Sequence, residues 1–492
     1  MVKPVAAEET QLKSVEDRLF RSSIQAEVGV VVGKLSASSE RGYVYDLIPT
    51  PPTDGGGPAC SLKLEGGGRD DRKKGSKGGK SSAEATHSLF IDGEWIAEHA
   101  RQVSRMLLGG MSVVGMYIWS SEASYKATSA AVLSQVIRGV AHAAPGFESD
   151  SNERLLIHIS YSPRRWACRS CLVTSGDLRP CDFKMSKLLS LLQTYRCLYK
   201  FDIRLPIFQT EVSVSTTCKN ALRNGISCHA KELERARALV DGNLVNDDKQ
   251  FTSEGLHNVE LLLPFKNDVY LEGSSDEITG LVVFRGSICA SAYLGPKEPL
   301  SQALSDLKSD IIKSLRSRLD IVLDEAADKL DMDTNDEGKE SSAMLSEDPR
   351  QQLRLVNIWK PHTLAFPRRI LVPWLSGTYI CDYLLPSETF EDLKDHCREM
   401  MSLETPLESS PLLELEKEAT PVVSLSFWNA LLGNSQFPTA EHNKPDLSTE
   451  EENFSEKPNS CNFSLLLAVL VLIVAVAIAG AFAYFAPAKA GH

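Results

Sequence analysis

The segment Glu94–Tyr117 reads EWIAEHARQVSRMLLGGMSVVGMY, and it contains the strongest fold signal in the chain. Its first half repeats an apolar residue at every third or fourth position, which predicts a helix with one buried face. These apolar residues are Ile96, Ala100, Val103 and Leu107. Asp92 is placed to cap the start of this helix, and Gly109 and Gly110 are typical of a helix end. The apolar run Met111–Trp119 follows at once and predicts a strand in the centre of a sheet.

Further strands and one more helix are predicted on both sides of this segment. The apolar runs Ala26–Leu35 and Tyr43–Ile48 predict a hairpin before it. Residues 54–83 contain nine of the 31 glycines together with Ser and Lys, and this composition predicts a flexible loop. The elements predicted after the segment are a helix at Ala130–Ala144 and a hairpin at Arg154–Ser160 and Trp166–Val173. We assign residues 1–209 to a first domain of mixed α and β structure.

A second α+β domain is predicted for residues 210–402. Its clearest element is a helix over Leu300–Leu330, because apolar residues recur there at every third or fourth position. An acidic loop is expected to follow at residues 331–350. A hairpin over Arg369–Tyr383 and a short helix from about Ser387 complete the domain. The fold class expected for the chain is therefore α+β.

The negative charge of the chain is concentrated in two segments. The net charge is −12, of which Asp331–Asp348 contributes −6 and Leu403–Ser460 contributes −8. The remaining residues sum to about +2 and do not form the concentrated basic composition that phosphate backbones require, so no nucleic acid partner is expected. Residues 403–462 are interpreted as an acidic linker. Within it, Phe427 and Trp428 form either a docking motif or an incidental apolar patch.

Residues 463–485 predict a transmembrane helix. They read FSLLLAVLVLIVAVAIAGAFAYF, which is 23 residues without a charge. A helix of this length spans about 34 Å, and a hydrocarbon core is roughly 30 Å thick. The positions that mark this membrane anchor are Phe463, Ala475, Gly480 and Phe485.

The position of this span predicts a tail anchor. The first 20 residues lack the apolar core of a signal peptide, and only residues 486–492 follow the span as a short lumenal tail. The bulk of the chain is then expected in the cytosol, which agrees with 11 cysteines that lack the spacing of a disulfide framework. The tail contains no strongly basic cluster, which favours the endoplasmic reticulum membrane.

The helix and strand of Glu94–Tyr117 resemble the centre of an MPN domain, a fold of deubiquitinase-related proteins. In the catalytic members the strand continues into His-x-His, which binds zinc together with a downstream Asp. The corresponding positions here are Ile118 and Ser120, and no acidic residue lies between Ala123 and Phe147. Because Ile cannot coordinate zinc, we expect a metal-free MPN-like domain without a cofactor and without catalytic residues.

The same segment more closely resembles the signature of the Odr-four-like family, named for an odorant-response-abnormal protein. Further similarity follows in the same order along the chain, at Arg154–Ile159, Leu304–Ile312, Arg369–Pro373 and Ile380–Tyr383. The resemblance implies a non-enzymatic, tail-anchored adaptor of the endoplasmic reticulum that supports folding and trafficking of multispanning membrane receptors. It also implies a partner, the ubiquitin-fold-modifier-specific protease, which the adaptor recruits to that membrane.

Two classes of function stay open. The missing zinc ligands and the long linkers favour an adaptor, and the alternative is a hydrolase or a catalytic subunit of a modifier-processing complex. MPN-type domains commonly work in pairs, so a surface near the helix is expected to bind the protease. Arg101 and Arg105 are polar positions on that helix, and we predict that they belong to the partner-binding surface.

Overall fold

In the computed structural model, the segment Glu94–Tyr117 contributes one helix and one inner strand to an eight-stranded sheet. The elements of this part are, in order, β1 (Val5–Glu8), α1 (Glu9–Arg21), β2 (Glu27–Lys34), β3 (Gly42–Pro49), β4 (Cys60–Leu64), β5 (His87–Ile91), α2 (Gly93–Met106), β6 (Ser112–Ser120), α3 (Glu122–Ala127), α4 (Ala130–Ala143), β7 (Glu153–Tyr161), β8 (Arg164–Leu172), β9 (Leu178–Cys181) and β10 (Phe183–Ser186). The strand order is β10-β1-β3-β2-β6-β7-β8-β9, and β4 pairs separately with β5. Helices α2 and α4 pack against each other beside β6.

A second sheet of seven strands is built from the rest of the described chain. Its elements and their neighbours are, in order, β11 (Gln193–Phe208), α5 (Val214–Glu234), β12 (Arg237–Val240), β13 (Asn243–Leu244), β14 (Leu256–Leu262), β15 (Ile278–Leu294), α6 (Leu300–Asp333), β16 (His362–Phe366), β17 (Arg368–Pro373), β18 (Tyr379–Leu384), α7 (Phe390–Met401) and β19 (Thr420–Ser426). The strand order is β13-β12-β14-β11-β15-β19-β16, while β17 and β18 form a separate hairpin. The predicted α+β class is confirmed.

The structure describes only part of the chain. The described residues are 3–35, 41–64, 87–146, 152–208, 214–245, 255–264, 278–295, 298–333, 362–403, 416 and 420–426. They belong to one compact unit that extends from Met1 to Ser435. Within these ranges, no helix has the length and apolarity needed to cross a membrane. The predicted anchor at 463–485, the tail 486–492 and the residues Phe427 and Trp428 lie outside the described ranges.

The helix and strand predicted from Glu94–Tyr117 are confirmed in detail. Asp92 caps α2, because its Oδ1 accepts a hydrogen bond from the Trp95 amide at 3.0 Å. The predicted apolar stripe is buried, with Ile96, Ala100 and Val103 fully enclosed in the core. The inner strand β6 pairs antiparallel with β2 and parallel with β7. All residues of β6 after Ser112 are buried, so both faces of the strand are covered, and this burial explains its nearly continuous apolar sequence.

Two predicted loop regions contain ordered strands instead. The prediction of a flexible loop over 54–83 is wrong at Cys60–Leu64, which forms β4 and pairs with β5. The prediction of a linker over 403–462 is wrong at Thr420–Ser426, which forms β19 between β15 and β16. Glu416 in the same segment is buried, and both of its carboxylate oxygens lie 2.6 Å from an Arg318 guanidinium nitrogen. Composition missed these elements because strand pairing and ion pairing involve residues far away in sequence.

The boundary predicted between residues 209 and 210 stays a prediction. The long strand β11 precedes that boundary and pairs with β14 and β15 of the second sheet. The hairpin of β17 and β18 and the helix α7 follow it, and their buried residues pack in the same core cluster as α2. Elements from each side of the predicted boundary therefore pack with elements from the other side.

A pair of glycines after α2 packs against the second sheet. Gly109 and Gly110 have φ angles of +68° and +79°, which favour glycine. A Cβ atom at Gly109 would lie 2.1 Å from Tyr293 Cδ2 of β15. At Gly110 it would lie 2.1 Å from Asp306 Oδ2 of α6. The close contact between these parts of the chain therefore depends on both glycines.

Buried ion pairs cross the same junction. The Lys34 ammonium of β2 lies 2.8 Å from Asp306 Oδ2. The Arg369 guanidinium of β17 contacts both carboxylate oxygens of Asp310 in α6, at 2.6 and 3.1 Å. All four side chains are at most 6% exposed. Because a buried charge without its partner is strongly unfavourable, these pairs favour the packing of α6 against β2 and β17.

Candidate functional site

The end of β6 contains the two positions that the sequence resemblance matched to zinc ligands of catalytic MPN domains. Ile118 and Ser120 are both fully buried, and Ile118 has no donor atom. The Ser120 hydroxyl lies 3.2 Å from Nε2 of His158 on the adjacent strand β7. The other ring nitrogen, Nδ1, lies 3.8 Å from a carboxylate oxygen of Glu122. Hydroxyl, imidazole and carboxylate thus follow one another in the order used by serine hydrolases.

The surroundings of this polar cluster limit its chemistry. Ser120 is 0% and His158 is 2% exposed, so the Ser120 hydroxyl is closed to substrate from the solvent. The imidazole stacks on Tyr125 with ring centroids 4.0 Å apart. Burial lowers the pKa of His158 from 6.5 to about 4, against the opposing charge of Glu122. The ring is therefore neutral at physiological pH, and it fills the interior as a hydrogen-bonded core residue.

The described residues also offer little for metal binding. Among the residues that the structure describes, no group of three or more His, Cys, Asp or Glu side chains is arranged to hold a metal ion. Nine cysteines whose side chains the structure describes are free thiols. Burial raises the pKa of the Cys60, Cys197 and Cys289 thiols, so these groups stay protonated and unreactive.

A cleft with a volume of about 1230 Å³ lies between α2 and α6. Its walls also include the end of α4, the end of α5 and the start of β12. The predicted partner-binding residues Arg101 and Arg105 both line this cleft, where they are half-buried. Arg101 forms an ion pair with Glu98 at 2.7 Å, and this contact lowers the pKa of the Glu98 carboxyl. The structure therefore places Arg101 and Arg105 at the rim of one concave surface.

Two lysines of α6 bind the ends of the neighbouring helices inside the cleft. Lys308 Nζ donates to the carbonyl oxygens of Glu234 and Ala236, at 3.0 and 2.8 Å. Lys313 Nζ donates to the carbonyl oxygen of Leu107 at 3.0 Å. Carbonyls at helix ends lack partners within the helix and attract cations. These lysines therefore stabilise the walls of the cleft and fix the orientation of α6 against α2 and α5.

The charge of the cleft is basic, in contrast to the acidic chain as a whole. Of the described residues that line it, six are Arg or Lys and two are Asp or Glu. Of these cations, only Arg101 and Arg105 of α2 were predicted from the sequence. Arg237, Lys308, Lys313 and Arg316 lie more than 100 residues further along the chain. A signal for three of them exists in α6, where Lys308, Lys313 and Arg316 lie between the apolar positions of the helix.

Comparison with known proteins assigns the family. The family described as ODR4-like, Odorant response abnormal 4-like, matches residues 29–411. "Protein odr-4 homolog" of Homo sapiens is 24% identical over 429 residues, which cover 82% of this chain and 83% of the human protein. The protein of the same name from Mus musculus is 24% identical over 370 residues, which cover 70% of this chain and 76% of the mouse protein. This mixed α+β chain belongs to the Odorant response abnormal 4-like family.

A similar solved structure is the crystal structure of UfSP from C. elegans. It superposes with a TM-score of 0.38 at 7% sequence identity. The aligned region covers 85% of this chain and 60% of that chain.

Proposed function

We propose that this member of the family is an adaptor and that it does not catalyse a reaction. The observation that supports this proposal best is the closed end of β6. Ser120 and His158 are 0% and 2% exposed, and Ile118 occupies a position where a metallo-hydrolase needs a ligand. A nucleophile must reach its substrate, and a metal-bound water requires at least three protein ligands. The MPN-like domain is then a metal-free scaffold whose surface binds partners.

The cellular role that we propose follows the family assignment. The chain is a tail-anchored protein of the endoplasmic reticulum membrane, with residues 463–485 as the span and the compact unit on the cytosolic side. It recruits the ubiquitin-fold-modifier-specific protease to that membrane. It also supports the folding and trafficking of multispanning membrane receptors. Family membership and the apolar sequence of the span support these assignments.

An activity assay separates the adaptor from an enzyme. The full-length chain, purified in mild detergent, is incubated with a conjugate of the ubiquitin-fold modifier, with and without a metal chelator. No cleavage above the buffer blank is expected. Cleavage that a chelator abolishes would show a metallo-hydrolase and would overturn the proposal.

A serine hydrolase is the second candidate, because Ser120, His158 and Glu122 lie in the required order. Removal of the hydroxyl in Ser120→Ala tests this candidate in the same assay. Ser134→Ala is a matched control, since Ser134 is also buried but lies on α4. Cleavage that is lost in Ser120→Ala and kept in Ser134→Ala would establish the hydrolase in place of the adaptor.

The membrane assignment is tested with the anchor alone. A soluble reporter fused to residues 457–492 is expected to localise to the endoplasmic reticulum. The double change Val471→Arg and Ala475→Arg is expected to leave the reporter soluble, because each arginine near the span centre costs about 2.5–3.5 kcal/mol on insertion. A reporter on mitochondria would contradict the choice of membrane, and a membrane-bound double variant would contradict the anchor.

A further inference from the structure

We propose that the basic cleft between α2 and α6 binds an acidic, amphipathic peptide segment of a partner protein. This inference rests on the proposed adaptor function, since it assigns a surface and a ligand chemistry to that role. Three properties of the cleft support it, namely its charge, the chemistry of its lining and its size.

The charge of the cleft comes from three separate elements of the fold. Arg101 and Arg105 project from α2, Arg237 from the start of β12, and Arg316 from α6. The side chains of Arg237 and Arg316 are exposed, and those of Arg101 and Arg105 are half-buried. The chain as a whole has a net charge of −12. A basic concavity on an acidic protein attracts carboxylates from a partner and accelerates their association.

The lining between these cations is both hydroxylic and apolar. Ser104, Ser301 and Ser305 place hydroxyl groups along α2 and α6, and these groups can donate hydrogen bonds to carboxylates. Leu304 and Pro145, which are half-buried and exposed respectively, add apolar surface to the same cleft. A ligand that satisfies both kinds of surface has acidic residues on one side and apolar residues on the other. An amphipathic peptide with Glu or Asp beside Leu or Val has this composition.

The size of the cleft favours a peptide over a small molecule. Its volume of about 1230 Å³ exceeds the range of about 300–1,000 Å³ that is typical of small-ligand pockets. Lys308 and Lys313 are engaged with helix-end carbonyls, so the walls are fixed before a ligand arrives. A preformed groove loses little conformational freedom on binding.

The acidic residues of the lining argue against nucleic acid as the ligand. Glu234 and Asp320 interrupt the basic surface on the α5 and α6 sides of the cleft. A phosphate backbone has one charge per nucleotide along its whole length and is repelled by such interruptions. In a peptide only some positions carry a carboxylate, so an apolar or basic residue can lie opposite Glu234 and Asp320.

The test measures binding of a labelled peptide to the full-length chain in mild detergent. The probe is a fluorescein-labelled peptide of Glu and Leu, about 14 residues or four helical turns long, and its counterpart replaces each Glu by Lys. Fluorescence anisotropy is expected to show binding of the Glu peptide alone. Its affinity is expected to fall as salt is raised from about 50 to about 300 mM, because the screening length shortens.

Charge reversal locates the binding to the cleft. The double variant Arg105→Glu and Arg316→Glu is expected to weaken binding of the Glu peptide about tenfold or more. The matched control is Lys184→Glu and Lys200→Glu, which makes the same charge change at exposed positions outside the cleft and is expected to leave the affinity within about twofold. Thermal unfolding of both variants verifies that they are folded. Equal losses in the two variants, or no loss in the first, would overturn the proposal.

Two competitors distinguish the other possible occupants. Stronger binding of a single-stranded oligonucleotide than of the Glu peptide would make the cleft a nucleic acid site and overturn the proposal. Stronger binding of a synthetic Asp331–Asp348 peptide would assign the cleft to an acidic segment of this chain and would also overturn it. Capture of the protease from microsomes tests the adaptor separately. If the peptide does not bind but the protease is still captured, the proposal for the cleft is overturned. If the unchanged chain binds the peptide but does not capture the protease, the proposed adaptor function is overturned.

Discussion

The ion pair between Arg369 and Asp310 provides the sharpest test of how the hairpin of β17 and β18 is joined to α6. The perturbation is Arg369→Met, which keeps much of the side-chain length and removes the charge. Arg369 lies on β17, and its guanidinium contacts Asp310 of α6 and the carbonyl oxygen of Cys289 on β15. Burial acts to lower the pKa of Arg369, and the attraction of Asp310 outweighs it and raises the pKa above its ordinary value. Arg369 therefore stays charged in the folded protein.

The expected loss in the free energy of unfolding follows from the burial of Asp310. The Asp310 carboxylate is 2% exposed, and after the change its remaining described donor is the Ser291 amide at 3.2 Å. Breaking a buried pair by removing one partner costs about 3–5 kcal/mol, because the other charge stays buried without compensation. Asp310→Leu alone is expected to cost a similar amount. The double variant removes both charges, so its cost is expected to be about 2 kcal/mol or less, well below the sum of the single changes.

The assay is urea-induced unfolding of the full-length chain, followed by tryptophan fluorescence. Arg204→Met is the matched control, since Arg204 forms an ion pair with Asp202 at 3.1 Å on the surface, where the side chains are 59% and 43% exposed. This control is expected to cost less than about 1 kcal/mol. The slope of the unfolding free energy with urea should be unchanged in all variants, so that midpoints report stability.

Two results would refute this account of the junction. Arg369→Met could cost no more than Arg204→Met, in which case the buried pair would add no stability to the contact between β17 and α6. The double variant could cost the sum of the two single changes, in which case the charges would not depend on each other. Either result would show that the Arg369–Asp310 ion pair does not hold the hairpin of β17 and β18 against α6.

Two further predictions concern the glycine turn and the buried histidine. Gly109→Ala is expected to lower the free energy of unfolding by about 2–5 kcal/mol from strain and overpacking, since its Cβ would lie 2.1 Å from Tyr293. Gly377→Ala has a similar φ of +75° and no atom within 4 Å, so it should cost only about 1 kcal/mol; equal losses would refute the packing argument. His158 binds a proton in the unfolded state below pH 6.5 but stays neutral in the folded state down to a pKa of about 4. Its contribution to stability should therefore fall with decreasing pH, by about 2 kcal/mol at pH 5. In unfolding measured from pH 7 to 5, His158→Phe should flatten this decline relative to His142→Phe, and equal slopes would contradict the assignment.

The sequence by itself determined the elements whose signal is local. The spacing of Ile96, Ala100 and Val103 defined α2, because a helix face is set by residues three and four positions apart. The apolar run of β6 and the apolar stripe of α6 could be predicted for the same reason, since both patterns are local in sequence. Asp92 was identified as a cap because its partner amide is only three residues away.

The tertiary structure decided every feature that joins distant residues. The linker composition around Glu416 gave no sign that its carboxylate is buried against Arg318, 98 residues earlier. The strands β4 and β19 form only because β5 and β15 offer unpaired edges. Pairing energy depends on the partner strand, so local composition predicts it poorly.

The residues of the candidate site also divide into those that the sequence predicts and those that only the tertiary structure brings together. Arg101 and Arg105 could be proposed from the sequence, since polar positions on an amphipathic helix face away from its apolar stripe. Their membership in one cleft with Arg237 and Arg316 could not, because no periodicity relates α2 to β12 and α6. What brings these cations together is the packing of the two sheets, which depends on the turn at Gly109 and the Lys34–Asp306 ion pair. Local sequence therefore specifies the helices and strands of this protein, and long-range packing and charge pairing specify the surface that they form.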